Sequence, residues 1–172
     1  MSHPQQLAFV ASVEQMHPDA FDNCRVLEIG SLNINGTVRH FFTNCDYTGA
    51  DLADGPGVDV ICPGQDLDYP DKHFTTVIST ECFEHNPHWM PTFLNMIRMA
   101  SQLVIFTCAT TGRPEHGTSR TDSYSSPFTA NSDYYQNLTE YDFEHLPLDD
   151  WFSQYEFRVD EEACDLYFWG MK

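Results

Sequence analysis

Positive charge is scarce in this chain: eight lysines and arginines stand against 26 aspartates and glutamates, for a formal charge of −18. Such a field repels phosphate backbones and anionic lipid headgroups, which sets nucleic acid and membrane surfaces aside as partners. The six cysteines, at 24, 45, 62, 82, 108 and 164, contain no C-x-x-C pair. That spacing argues against a disulfide framework and fits a reducing compartment. No run of apolar residues is long enough to span a bilayer, and the first residues carry no signal-type stretch, so a cytoplasmic location is expected. Internal repeats and low-complexity tracts are missing too. Glycine is sparse, at nine residues, and no G-x-G-x-x-G occurs.

What is present points to one folded domain over 1–172. The length suffices for a proper core, and aromatics at 14% are too abundant for a disordered chain. The most informative stretch runs from Arg25 to Asp51. Val26-Leu27-Glu28-Ile29-Gly30 reads as a buried strand, followed by a polar turn from Ser31 to Asn35 and Gly36. Val38, Phe41 and Phe42 then share a helical face, and Tyr47-Thr48-Gly49-Ala50 forms a second strand ending at Asp51. Strand, glycine turn, helix, strand and terminal acid make a βαβ unit that binds a nucleoside beyond the strand ends. Gly30 permits a sharp turn and a close ligand, and Asp51 can accept from ribose hydroxyls. Leu32 occupies the second-glycine position of a dinucleotide motif, which disfavours NAD. Glu28 is an acid in a strand expected to be buried on both faces, and it requires a partner such as an amino group.

The rest of the chain alternates strands and helices. A leading helix is expected within 1–23, over Gln5 to Gln15. Strands follow at Gly57–Cys62, Phe74–Thr80 and Leu103–Cys108, with a helix over Pro87–Ala100 carrying Trp89, Met90, Phe93, Leu94, Met96 and Ile97 on a broad buried face. Tyr141 to Trp151 can hold one helix. Two strands, Tyr155–Val159 and Asp165–Trp169, close the chain as a hairpin. This pattern predicts an α/β, Rossmann-like fold: a mostly parallel sheet, helices on both faces and a C-terminal antiparallel hairpin.

Glu28-Ile29-Gly30, the turn to Asn35-Gly36, Asp51 and the run Ser79-Thr80-Glu81-Cys82-Phe83-Glu84-His85 resemble the motifs of class I S-adenosylmethionine-dependent methyltransferases of the small, type 11-like kind. The resemblance covers about residues 24 to 109 and the tail. It implies S-adenosyl-L-methionine as cofactor, with Glu28, Gly30, Ser31 and Asn35 at its amino-acid tail and Asp51 and Leu52 at the ribose. Cys62, Gln65 and Asp66 would lie at the adenine, and Thr80 and Glu81 on the floor. Pro63 replaces the acid often found at the adenine, so Asp66 or Gln65 must substitute. The usual Pro-Gly-Gly turn before the fifth strand is replaced by Ala100-Ser101-Gln102.

The polar, aromatic loop 110–137 is expected on the acceptor side, as in relatives encoded beside sugar-modifying genes. His116 and, after it, His85 are the candidate bases, with Arg120, Tyr124, Tyr134 and Tyr135 as acceptor contacts. His85 and His88 beside Glu81 and Glu84 do not follow H-E-x-x-H, and Pro87 interrupts any helix that would align them, so no metal is expected. The implied function is methyl transfer to a small-molecule or sugar-like acceptor. The alternative is a non-catalytic module with the same fold that binds a protein partner or the nucleoside alone. The oligomeric state stays open, a homodimer included.

Overall fold

The computed structural model describes residues 2–122 and 124–172. Seven strands form one sheet in the order β3-β2-β1-β4-β5-β7-β6. β1 (Arg25–Ile29), β2 (Asp46–Asp51), β3 (Val60–Ile61), β4 (Phe74–Thr80) and β5 (Ala100–Ala109) run parallel; β7 (Asp165–Met171) is antiparallel to β5 and to β6 (Gln154–Asp160). The mostly parallel sheet with a terminal antiparallel hairpin is as the sequence implied. The central strands are apolar and rich in β-branched residues because both of their faces are covered.

Two apolar clusters cover those faces. On one, α1 (Pro4–Met16) sets Phe9, Val10 and Val13 against Val26, Ile78, Ile105 and Tyr167, and Phe9 stacks on Tyr167 at 4.7 Å. On the other, α2 (Trp89–Met99) buries Phe93, Met96, Ile97 and Met99. Pro91 sits in its first turn, where a missing N–H costs nothing. Leu94, expected on the buried face, points outward and is 39% exposed. Phe106 lies at the centre of this second cluster, stacked on Phe168 and Phe143 at 5.1 Å each and edge-on to Phe93. Among the described residues no helix is long and apolar enough to cross a membrane.

Four expectations change. The helix after β1 is a single 3-10 turn, Arg39–Phe41. Val38 and Phe42 are buried as the spacing suggested, but Asn44 at φ 54° already turns the chain into β2. Too few residues remain between Gly36 and that turn to propagate an α-helix. The helix expected over Tyr141–Trp151 is two pieces, a 3-10 turn Glu140–Phe143 and α3 (Leu148–Trp151), parted at Pro147. Ala100-Ser101-Gln102 is no turn at all: β5 begins at Ala100 directly after α2, and the pairing absorbs the difference as a register shift between Phe74 and Thr76. The strand expected over Gly57–Cys62 contracts to Val60–Ile61. All six cysteines are free thiols.

Phe106→Ala is expected to lower the unfolding free energy by about 3–5 kcal/mol in urea denaturation, as large-to-small changes in packed cores do. The same change at exposed Leu94 is expected to cost about 0.5 kcal/mol or less.

Candidate functional site

The strand order reverses at β1, which sends the chain to β2 on one side and, after β3, to β4 on the other. The loops beyond the C-terminal ends of β1 and β4 therefore part and leave a crevice. A cavity of about 330 Å3 occupies it, within the range of small-ligand sites. Of the residues implied at a cofactor, Glu28, Gly30, Ser31, Asn35, Asp51, Leu52, Cys62, Gln65, Thr80 and Glu81 line it; Asp66 does not. In the 3-10 turn Gly64–Asp66, the Asp66 carboxylate instead accepts from its neighbour Gln65 at 3.3 Å.

Asp51 closes β2 and is held on the crevice by two amides: Leu32 N–H donates to Oδ2 at 2.9 Å and Leu52 N–H to Oδ1 at 2.7 Å. Burial raises its pKa, and these two amides offset part of that rise. A carboxylate has about four acceptor positions, so two remain for a ligand. Gly30 turns at φ +78°, and a Cβ there would lie 2.7 Å from Cys82 Cβ, so the glycine is required by the β1–β4 approach as well as by its φ. Gly49 in β2 has a similar duty: a Cβ would meet the Gly57 carbonyl at 2.1 Å. Glu28 accepts from the Tyr47 hydroxyl at 2.9 Å. Burial pushes its carboxyl up to about 7, against the pull of Tyr47 and Arg39.

The floor is more acidic than the sequence suggested. Glu81 follows β4 in the left-handed region at φ 50°, a strained conformation for this residue. Its Oε1 accepts from Thr107 at 2.8 Å, and its Oε2 faces Arg113 at 3.6 Å and His3 at 3.8 Å. Asp165, fully buried at the start of β7, pairs with His3 and Arg113 at 2.8 Å each. Burial opposes ionisation of Glu81, but the His3 imidazole facing it holds its pKa below the ordinary value. Glu84 is also fully buried, and burial, then the Glu81 charge, push it up to about 8. His85 lines the cavity; burial, and after it the neighbouring His116, push its imidazole down to about 3.

No family model and no curated protein matches the sequence. Solved structures do. A 1,6-didemethyltoxoflavin-N1-methyltransferase of Burkholderia thailandensis, bound to 1,6-didemethyltoxoflavin and S-adenosylhomocysteine, superposes with a TM-score of 0.64 at 15% identity, over 97% of this chain and 79% of that one. A putative methyltransferase of Bacillus halodurans gives 0.63 at 10% identity, over 98% and 99%. A phosphoethanolamine N-methyltransferase of Haemonchus contortus, in complex with S-adenosyl-L-methionine, gives 0.64 at 14% identity, over 95% and 51%. The chain has the Rossmann-like methyltransferase fold.

On this methyltransferase fold the loop 110–137 does not present the residues expected of it. His116 sits behind His85, ring centroids 4.9 Å apart, and is not on the cavity wall. Arg120 is tied within the loop to Glu115 at 2.8 Å and to the Asp133 carbonyl at 2.6 Å. Tyr124 is exposed, Tyr134 donates to Gln136 at 2.9 Å, and Tyr135 packs edgewise on His85 and His116. The wall is built instead by Ser125 to Thr129 and Ser132, short polar residues around Phe128 that no motif marks. Gly117, at φ +61°, lets the loop seat, since a Cβ would stand 2.6 Å from Ser126 Cβ and 3.0 Å from His85 Cε1.

The N-terminal strap supplies the other unforeseen part. Ser2 and Gln6 line the cavity, and Ser2 and Asn35 exchange two hydrogen bonds of 3.0 Å. That clasp takes up the Asn35 amide expected at a cofactor tail. His3 anchors the strap on Asp165 and Glu81. Burial alone would lower its pKa, but those two acids carry it up to about 9 from 6.5. A raised pKa in the folded state means that this contact is complete below about pH 6.5 and is lost as pH rises through about 9. The urea midpoint is therefore expected to fall further between pH 6.5 and 10 in the native protein than in His3→Gln. Parallel profiles would remove the anchor from the account.

Proposed function

We propose that the crevice binds S-adenosyl-L-methionine and that the protein transfers its methyl group to a small-molecule or sugar-like acceptor. The observation that carries this reading is Asp51. Its carboxylate is fixed by two backbone amides at the end of β2, beside the switch point, with acceptor capacity turned to the cavity. The residues present fit such a ligand. Ser31 Oγ and both ring nitrogens of His85 are buried on the cavity without hydrogen-bond partners among the described residues. Glu28 and Glu81 give the walls negative potential, which suits a ligand bearing a sulfonium and an ammonium.

In this reading Asp51 takes the ribose hydroxyls, while Gly30, Ser31 and Glu28 face the amino-acid tail. A cationic amine beside Glu28 would favour its ionised form. Leu52, Cys62, Pro63 and Gln65 make the adenine side, with the Gln65 amide rather than Asp66 offering polar contacts. Asn35 joins the tail only when it releases Ser2. When bound, the sulfonium would supply an activated methyl group, and the neutral thioether that it leaves behind needs no acid. The protein must then align the acceptor and exclude water, which a walled cavity under a strap and a loop does by proximity and orientation. Thr80 and Glu81 form the floor, and His85 faces the acceptor from it. With its imidazole pushed down to about 3, His85 is suited to holding an acceptor by hydrogen bonds more than to carrying its proton away. His116, directly behind, supports it.

Calorimetric titration with S-adenosylmethionine and S-adenosylhomocysteine, with NAD as control, tests the binding. Both nucleosides are expected to bind with micromolar affinity, weakened about tenfold to a hundredfold in Asp51→Ala, the loss of hydrogen bonds to a charged group. NAD is expected not to bind. Heat from NAD alone, or equal affinity in Asp51→Ala, would refute the assignment. Consumption of the cofactor with a small acceptor then separates an enzyme from a binding module.

A further inference from the structure

Beside and beneath the cavity floor lies a group of side chains whose joint arrangement the proposed methyl transfer does not account for. Glu84 and His85 come from the 3-10 turn Phe83–His85 after β4, and His116 comes from the loop that closes over it. One ligand atom from each lies within 4.8 Å of the other two, and His85 Nε2 is 3.9 Å from Glu84 Oε1. Glu84 is fully buried, yet neither of its carboxylate oxygens has a hydrogen-bond partner among the described residues. The same holds for both nitrogens of His85 and for the hydroxyl of Tyr135, whose ring centroid lies 5.5 Å from that of His85 and 5.1 Å from that of His116. Leaving a buried polar atom unpaired is costly, and more so for a charged group, so five such atoms in one place point to an occupant.

The surroundings narrow what the occupant is. The Arg113 guanidinium close by is committed to Asp165 and Glu81. Glu81 adds negative potential to all three side chains, Glu84, His85 and His116. Two imidazoles and one carboxylate are the donor set of a borderline divalent transition metal, and three protein ligands leave positions open for water or a ligand oxygen. We propose that Glu84, His85 and His116 bind a divalent transition-metal ion, with its open positions directed past His85 into the cavity. Tetrahedral bonds of about 2.1 Å place ligand atoms about 3.4 Å apart, so side-chain rotation has only a short contraction to supply. The sequence pattern hid this set because its third member is a loop histidine remote from the Glu84-His85 pair, while His88 takes no part in it.

Chelator-stripped protein, free of any nucleoside, is titrated with Zn2+ and with Mn2+, the first read by calorimetry and elemental analysis and the second by the loss of the free-ion electron paramagnetic resonance signal. One ion per chain is expected. Its affinity is expected to fall about tenfold or more in Glu84→Gln and in His116→Ala, and to be unchanged in the exposed-histidine control His145→Ala. Circular dichroism reports whether each variant is folded; should the buried Glu84→Gln fail to fold, the half-buried His116→Ala decides. No binding of either ion, or binding that both variants retain undiminished, would overturn the site. Because no S-adenosylmethionine is present, the outcome is independent of the proposed methyl transfer.

Discussion

The reversal of strand order at β1 is the constraint on which the rest of the molecule depends. Parallel strands cannot be joined by tight hairpins, so the chain must leave each C-terminal end through a loop that begins a crossover. Only where successive connections diverge do two such loops part enough to leave room for a ligand. Here that place is bounded by Gly30 and Cys82, which pack so closely that a single added methyl group at Gly30 would collide. The crevice owes its position to topology and its floor to this contact.

Around the crevice the protein concentrates acids. Glu28, Glu81, Glu84 and Asp165 are all buried in a chain whose formal charge is −18. Desolvating so many carboxylates is expensive unless each is paired, protonated or ligated. The structure uses different solutions side by side. Tyr47 supports Glu28, Thr107 and His3 hold Glu81 ionised, and His3 and Arg113 pair with Asp165. Glu84 alone is left to burial and the Glu81 charge. The strap that brings His3 into this network also places Ser2 and Gln6 over the cavity, so the electrostatics of the floor and the covering of the ligand site are one arrangement.

Local pattern made much of this legible. The apolar runs at 26–29, 74–80 and 103–108 named their strands, and the acid at the end of the second strand, Asp51, lies where the βαβ reading placed it. Gly30 was recognised as necessary, although the Cys82 contact behind that necessity was not visible. The spacing of Val38, Phe41 and Phe42 does not tell an α-helix from a single 3-10 turn, because one turn satisfies it as well as three. What stayed hidden depends on contacts between remote segments. Nothing in the sequence around Ser125–Thr129 distinguishes a cavity wall from an ordinary loop. Nothing in the sequence marks Arg120 as occupied by Glu115 and Asp133 of its own loop. The union of His116 with Glu84 and His85 is likewise a product of loop packing, with no periodicity to announce it.

A crystal structure of the protein grown with S-adenosylhomocysteine tests the central claim most directly. The account predicts nucleoside density in the crevice, ribose hydroxyls within hydrogen-bond distance of the Asp51 carboxylate, the tail amine beside Glu28, and the Ser2–Asn35 clasp opened. A crevice still closed by that clasp at saturating ligand, or a nucleoside bound away from Asp51, would contradict it.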